Sequence, residues 1–146
     1  MIAAPPPQVA AVFASYPTAA RTGLLVLRQM IFDQAALLPA AGPLTEALRW
    51  GQPAYLTETT RAGSPLRLGI PKSGGFALYA NCQTSLIADL AVLAGDRMRY
   101  EGNRAVLFED EQEIAADLLS LLIRRALTWH LRRELAQPPA GTGATA

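Results

Sequence analysis

The sequence predicts an α+β domain: a largely antiparallel, five-stranded sheet with helices packed on one face and a long C-terminal helix. Three observations carry that expectation. The hydrophobic period changes from helical to alternating after Pro53. Short loops rich in Gly, Pro and Ser separate the alternating runs, and short loops favour antiparallel pairing. Helical spacing then returns after Asp110 and continues to about Leu135. A chain of 146 residues suits one domain with one core. That domain is expected over residues 1–136, with the tail from Gln137 to Ala146, made of Gln, Pro, Gly, Ala and Thr, expected to be disordered.

Taken in order, Val9 to Ser15 suits a short helix that stops before Pro17. A longer helix is expected from Thr18 to Leu38, with Leu24, Leu27, Ile31, Ala35 and Leu38 on one stripe, ended by Pro39, Gly42 and Pro43. Leu44 to Trp50 reads as a brief helical turn and Gly51-Gln52-Pro53 as a break. Strands are expected at Ala54–Glu58, Leu66–Ile70 and Phe76–Asn81, followed by a helix from Thr84 to Leu93 that Gly95 ends. Arg97–Glu101 and Arg104–Phe108 flank Gly102-Asn103, a pair suited to a two-residue type II′ hairpin turn. In the closing helix, acidic residues at the start and Arg132 and Arg133 near the end match the helix dipole.

Composition narrows the function. Apolar residues make up 51% and charged residues 17%, enough hydrocarbon for a core. A formal net charge of +1 supplies no general attraction to nucleic acid or anionic lipid, so neither is expected as a partner. Lys72 is the single lysine, and a positive charge carried by Arg favours planar, forked contacts over diffuse phosphate binding. One cysteine, Cys82, excludes an internal disulfide and a paired-cysteine zinc site. The stretch Met1 to Gln8 lacks a basic region and contains three prolines, so no signal peptide is expected. No apolar run approaches the roughly 18–20 residues that span a bilayer. A cytoplasmic protein is the expectation.

A two-residue hairpin loop would set Glu101 opposite Arg104, Tyr100 opposite Ala105 and Arg99 opposite Val106. Met98, Tyr100, Ala105 and Leu107 would then share the core face. Arg97, Arg99, Glu101 and Arg104 would share the other, with Val106 and Phe108 beside them. Arg67 and Tyr79 fall on that second face if the sheet continues, and Tyr55 is a further candidate. Several Arg and Tyr side chains on one face can hold a carboxylate or phosphate through forked hydrogen bonds. The same pattern also suits a solvated face with cross-strand ion pairs such as Glu101–Arg104.

Two other clusters deserve a chemical reading. On a helix begun by Glu109, the residues Glu109, Glu113 and Asp117 would sit at i, i+4 and i+8, a carboxylate row that can bind a hard divalent cation. Equally, acidic residues at a helix start stabilise its dipole. Cys82 lies before Thr84, a good N-cap, and a thiol there can be activated. A buried structural cysteine is the plainer reading. His130, with Glu134 one turn later, suits a helix-surface pair. No Ser–His–acid order, Gly-rich phosphate loop or metal-ligand motif occurs.

The run Arg49-Trp50-Gly51-Gln52-Pro53-Ala54-Tyr55, then Arg67-Leu68-Gly69 and Lys72, resembles the YdhG-like domain of unknown function. So do Cys82-Gln83-Thr84, Tyr100-Glu101-Gly102-Asn103-Arg104-Ala105 and Leu127-Thr128-Trp129-His130. The resemblance spans Glu46 to His130 and implies a small α+β domain. Some relatives are described as frataxin-like iron chaperones, and carried to this chain that implies iron held weakly by Glu109, Glu113 and Asp117. Asn81 stands where the resemblance leads one to expect histidine.

Three functions follow. The first is a non-enzymatic binding module, with no cofactor, for a small anionic molecule or a protein segment. Its site would draw on Trp50, Arg67, Lys72, Tyr79, Cys82, Arg99, Glu101 and Arg104. The second is the iron-binding metallochaperone. The third is a thiol-dependent enzyme using Cys82 with Lys72 as a basic neighbour. A homodimer is compatible with all three.

Overall fold

A computed structural model describes residues 2–133. The tail from Gln137, and Glu134 with the end of the closing helix, lie outside the described residues. Among the described residues four α-helices occur: α1 (Pro7–Ser15), α2 (Thr18–Ala36), α3 (Leu86–Ala94) and α4 (Ala116–Leu127). Six strands form one antiparallel sheet: β1 (Thr45–Arg49), β2 (Gln52–Leu56), β3 (Leu66–Gly69), β4 (Phe76–Ala80), β5 (Arg99–Glu101) and β6 (Ala105–Phe108). The order across the sheet is β1-β2-β3-β4-β6-β5. The first four strands meander, and α3 carries the chain past β6 to the far edge.

The alternation of the strands decides which face the helices cover. Tyr55, Leu66, Leu68, Phe76, Leu78, Val106 and Phe108 are buried in one cluster with Leu24, Leu27 and Ile31 of α2 and Leu119, Leu122 and Ile123 of α4. The opposite face holds only a small apolar group, Ala77, Tyr79, Ala105 and Leu107. Gly23 allows the close approach of α2: a Cβ there would lie 2.1 Å from Cζ of Phe76. The stripe predicted for α2 is therefore the face that meets the sheet.

The structure corrects several expectations, beginning with the sheet. The sheet has six strands, not five, because Thr45–Arg49 is a strand rather than a helical turn. Its residues Glu46, Ala47, Leu48 and Arg49 favour helix locally, but tertiary contacts override them. Glu46 turns inward, where Arg28 grips it with two hydrogen bonds, Nε–Oε2 at 2.6 Å and a second guanidinium nitrogen to Oε1 at 2.9 Å. The Tyr55 hydroxyl donates to Glu46 Oε2 at 2.8 Å, and Arg28 also donates to the Ala3 carbonyl at 2.8 Å. Tyr55 thus belongs to the core and not to the polar face. Burial, followed by the Glu46 charge, drives its hydroxyl pKa far upward, so it stays a neutral donor.

The second correction concerns the last helix. It is not one long rod from Asp110: a short 3-10 turn at Glu111–Glu113 ends in extended backbone at Ile114 and Ala115, and α4 begins at Ala116 with 12 residues. Ile114 and Ala115 pack against the core, which requires the break. The third is the register of the β5–β6 hairpin. Glu101 pairs with Ala105, Tyr100 with Val106 and Arg99 with Leu107, so the loop has three residues, Gly102-Asn103-Arg104. A one-residue slip exchanges the faces of a strand. Val106 and Phe108 face the core, and Ala105 and Leu107 the uncovered side.

Replacing Arg28 by Met is expected to lower the unfolding free energy by about 3–5 kcal/mol, because a buried Glu46 loses its countercharge. Adding Glu46→Gln should recover a substantial part, since the amide still accepts from Tyr55. Urea denaturation followed by circular dichroism reads both, and strictly additive losses would disprove the coupling.

Candidate functional site

The uncovered sheet face forms a cleft of about 980 Å³. Its walls include Trp50 and Gln52 from the β1–β2 hairpin, Arg67 from β3, Tyr79 from β4, and Glu101 and Arg104 from the β5–β6 hairpin. Lys72 and Cys82 reach it from the two loops flanking β4. Of the eight side chains predicted for a ligand site, seven therefore line one cleft; Arg99 does not. It sits toward Glu109 and Glu113, with nitrogen–oxygen distances of 3.6 and 3.4 Å.

Cross-strand register builds the floor. Arg67 pairs with Tyr79, which pairs with Ala105, which pairs with Glu101, so these residues form one row across four strands. The guanidinium of Arg67 lies over the Tyr79 ring, 5.3 Å from its centroid. It also donates to the Gln52 side-chain oxygen. Gly69 makes room for that amide: a Cβ there would come within 2.3 Å of Gln52 Nε2. Sequence reasoning missed Gln52 and Gly69, whose pairing needs the β2–β3 register to be known.

Charge in the cleft is unbalanced. Arg49 pairs with Glu58 at 3.4 Å, and Arg104 approaches Glu101 only to 4.0 Å. Half-buried Arg67 has no carboxylate within 4.0 Å among the described residues. Burial lowers its pKa, opposed by Tyr79 and assisted by the neighbouring Arg104 cation, yet a guanidinium remains charged. The Tyr79 hydroxyl is shifted upward, by burial and then by Glu101, against the pull of Arg67 and Arg104. It remains a neutral donor at physiological pH.

Trp50 stands at the hairpin tip. Arg49 pairs with Gln52, leaving Trp50 and Gly51 as a two-residue loop with φ of 57° and 73°. Positive φ at both positions is the type I′ arrangement, which favours Asn or Gly in place of a bulky residue. Such a conformation costs on the order of 1 kcal/mol or more. Trp50 repays little of this by packing, being 90% exposed.

The other predicted sites separate. Cys82 is exposed, in a turn after β4, and not a buried structural thiol. Its carbonyl accepts from Asn103 Nδ2 at 2.7 Å, which ties the two cleft-lining loops together. Thr84 hydrogen-bonds within that turn, donating to the Asn81 carbonyl at 2.7 Å, while Ser85 takes the N-cap position. The acidic row is dispersed by the break before α4: Glu109 and Glu113 face Arg99, and Asp117 lies in the first turn of α4. Glu113 closes a capping box with Asp110. Among the described residues, no three His, Cys, Asp or Glu side chains converge as a set that could hold a metal ion.

Burial acts upward on the Glu113 carboxyl, but the backbone N–H groups of Glu109 and Asp110, with Arg99, outweigh it and hold the pKa below the ordinary range. A depressed carboxyl pKa contributes stability that is present above the unfolded value and is lost as pH falls through the folded value. A carbon-detected NMR titration should place the Glu113 midpoint low, and Arg99→Gln should move it upward. An unmoved midpoint would remove Arg99 from the cause.

No family model, curated protein or solved structure matches this chain at a significant level.

Proposed function

We propose that the protein is a binding module, not a catalyst, whose uncovered sheet face captures the anionic group of a small molecule or protein segment. The observation that carries this reading is Arg67, a half-buried cation that shares the cleft with Arg104 and Lys72 and, among the described residues, has only the neutral Gln52 amide and the Tyr79 ring as partners. Desolvating a cation without a countercharge is unfavourable, and a carboxylate or phosphate seated between Arg67 and Arg104 offsets that cost through forked, charge-assisted bonds. The neutral Tyr79 hydroxyl adds a further donor. Membership of the YdhG-like family remains part of this proposal and is supported by the ordered motifs that supply Trp50, Arg67, Lys72 and Arg104. The iron-chaperone reading draws less support, because its three carboxylates do not share one face.

Calorimetric titration with pyrophosphate tests the site. Replacing Arg67 and Arg104 together by Ala should weaken binding at least tenfold, with far-UV circular dichroism unchanged. Arg99→Ala, outside the cleft, should leave affinity intact. Undiminished binding in the double variant would sink the assignment.

Gly69→Ala provides a subtler probe, since it displaces Gln52 and with it Arg67 while keeping every charge. An intermediate loss of affinity is expected; full retention would show that the placement of Arg67 is immaterial.

A further inference from the structure

The cleft is larger than a lone inorganic anion needs, and its two ends differ. Resting on the anion-binding reading above, we propose that the ligand carries a flat aromatic ring as well as its anionic group, and that the ring stacks on Trp50. The central observation is the cost of that tryptophan. A type I′ position is best filled by Asn, Asp or Gly, yet a bulky indole occupies it at φ 57°. The core gains nothing in return, because Trp50 is 90% exposed. Strain of this kind persists where the surrounding structure holds it, and it concentrates at ligand clamps.

Position supplies the second argument. The Gln52 side chain lies over Gly69, and each of the two residues stands two positions along its strand from the Ala54–Arg67 pair. Trp50 lies a further step toward the hairpin tip, where Ile70, Pro71 and Lys72 also line the cleft. Arg67 occupies the middle, and Arg104 the opposite end. At one end an indole with the apolar Ile70 and Pro71 lies beside the Arg49 and Lys72 cations, and two further guanidinium groups lie beyond, which fits a molecule with a flat body and an anionic head. An exposed indole offers its π face to any such ring, whatever the ring's substituents.

Phenyl phosphate and methyl phosphate serve as a probe pair with the same head group, titrated calorimetrically into the native protein and into Trp50→Asn. The native protein should prefer phenyl phosphate by about 5- to 150-fold, the range that aromatic stacking supplies. In Trp50→Asn that preference should vanish while methyl phosphate binding persists. The melting temperature of the variant should stay level or rise, since Asn suits the turn. Equal affinity for the two probes in the native protein would overturn the aromatic inference and leave the anion site standing. Binding of neither would overturn both. A ring preference that survives in Trp50→Asn would also overturn the role given to Trp50.

Discussion

One layer of helices covers one face of the sheet, and most other features follow from that asymmetry. In a strand, successive side chains point to opposite faces, so each strand divides its residues between a packed side and an open one. Leu66, Leu68, Phe76, Leu78, Val106 and Phe108 meet the helices, and the intervening Arg67, Ala77 and Leu107 lie on the uncovered face, where Ala77 is buried in a small apolar group. Arg67, Tyr79 and Glu101 occupy the open side because the residues beside them are committed to the core. The candidate site is therefore a consequence of the register that builds the core.

The buried contact of Arg28 with Glu46 and Tyr55 extends this order to the sheet edge. It joins α2 to β1 and β2, and through the Ala3 carbonyl it also fastens the N-terminal segment. Phe32 encloses the group, with the guanidinium 5.0 Å from its ring centroid and Tyr55 edge-on to it at 5.8 Å. A buried ion pair is weak evidence of net stability, but it is demanding of geometry. Here it fixes β1 in place, and β1 in turn presents Trp50 at the cleft rim.

In and around the cleft the balance of charge depends on which carboxylate each guanidinium meets. Glu58 occupies Arg49, while Glu109 and Glu113 occupy Arg99. Glu101 approaches Arg104 only at the limit of an ion pair. Among the described residues Arg67 is left with π and amide contacts. The same residue type thus serves as a structural tie in the core, a surface pair at two edges and a candidate anion anchor at the centre.

The residues themselves determined the α+β class, the apolar stripe of α2, three of the meander strands and the side of the sheet on which Arg67 and Tyr79 lie, because periodicity is a local property of the chain. Seven of the cleft residues were also named from the sequence, Arg67, Tyr79, Glu101 and Arg104 from the strand and hairpin pattern, and Trp50, Lys72 and Cys82 from the family resemblance and the chemistry of a thiol beside a basic neighbour. Only the tertiary structure decided the rest. Helix-favouring residues became β1 because Arg28 and Tyr55 recruit Glu46 from elsewhere in the chain. A three-residue loop shifted the last hairpin and exchanged the faces of β6, and the core-packed Ile114 and Ala115 broke the acidic row. Gln52 came to hold Arg67 only where Gly69 leaves space. Each of these outcomes depends on long-range pairing, whose energy no short window of sequence contains.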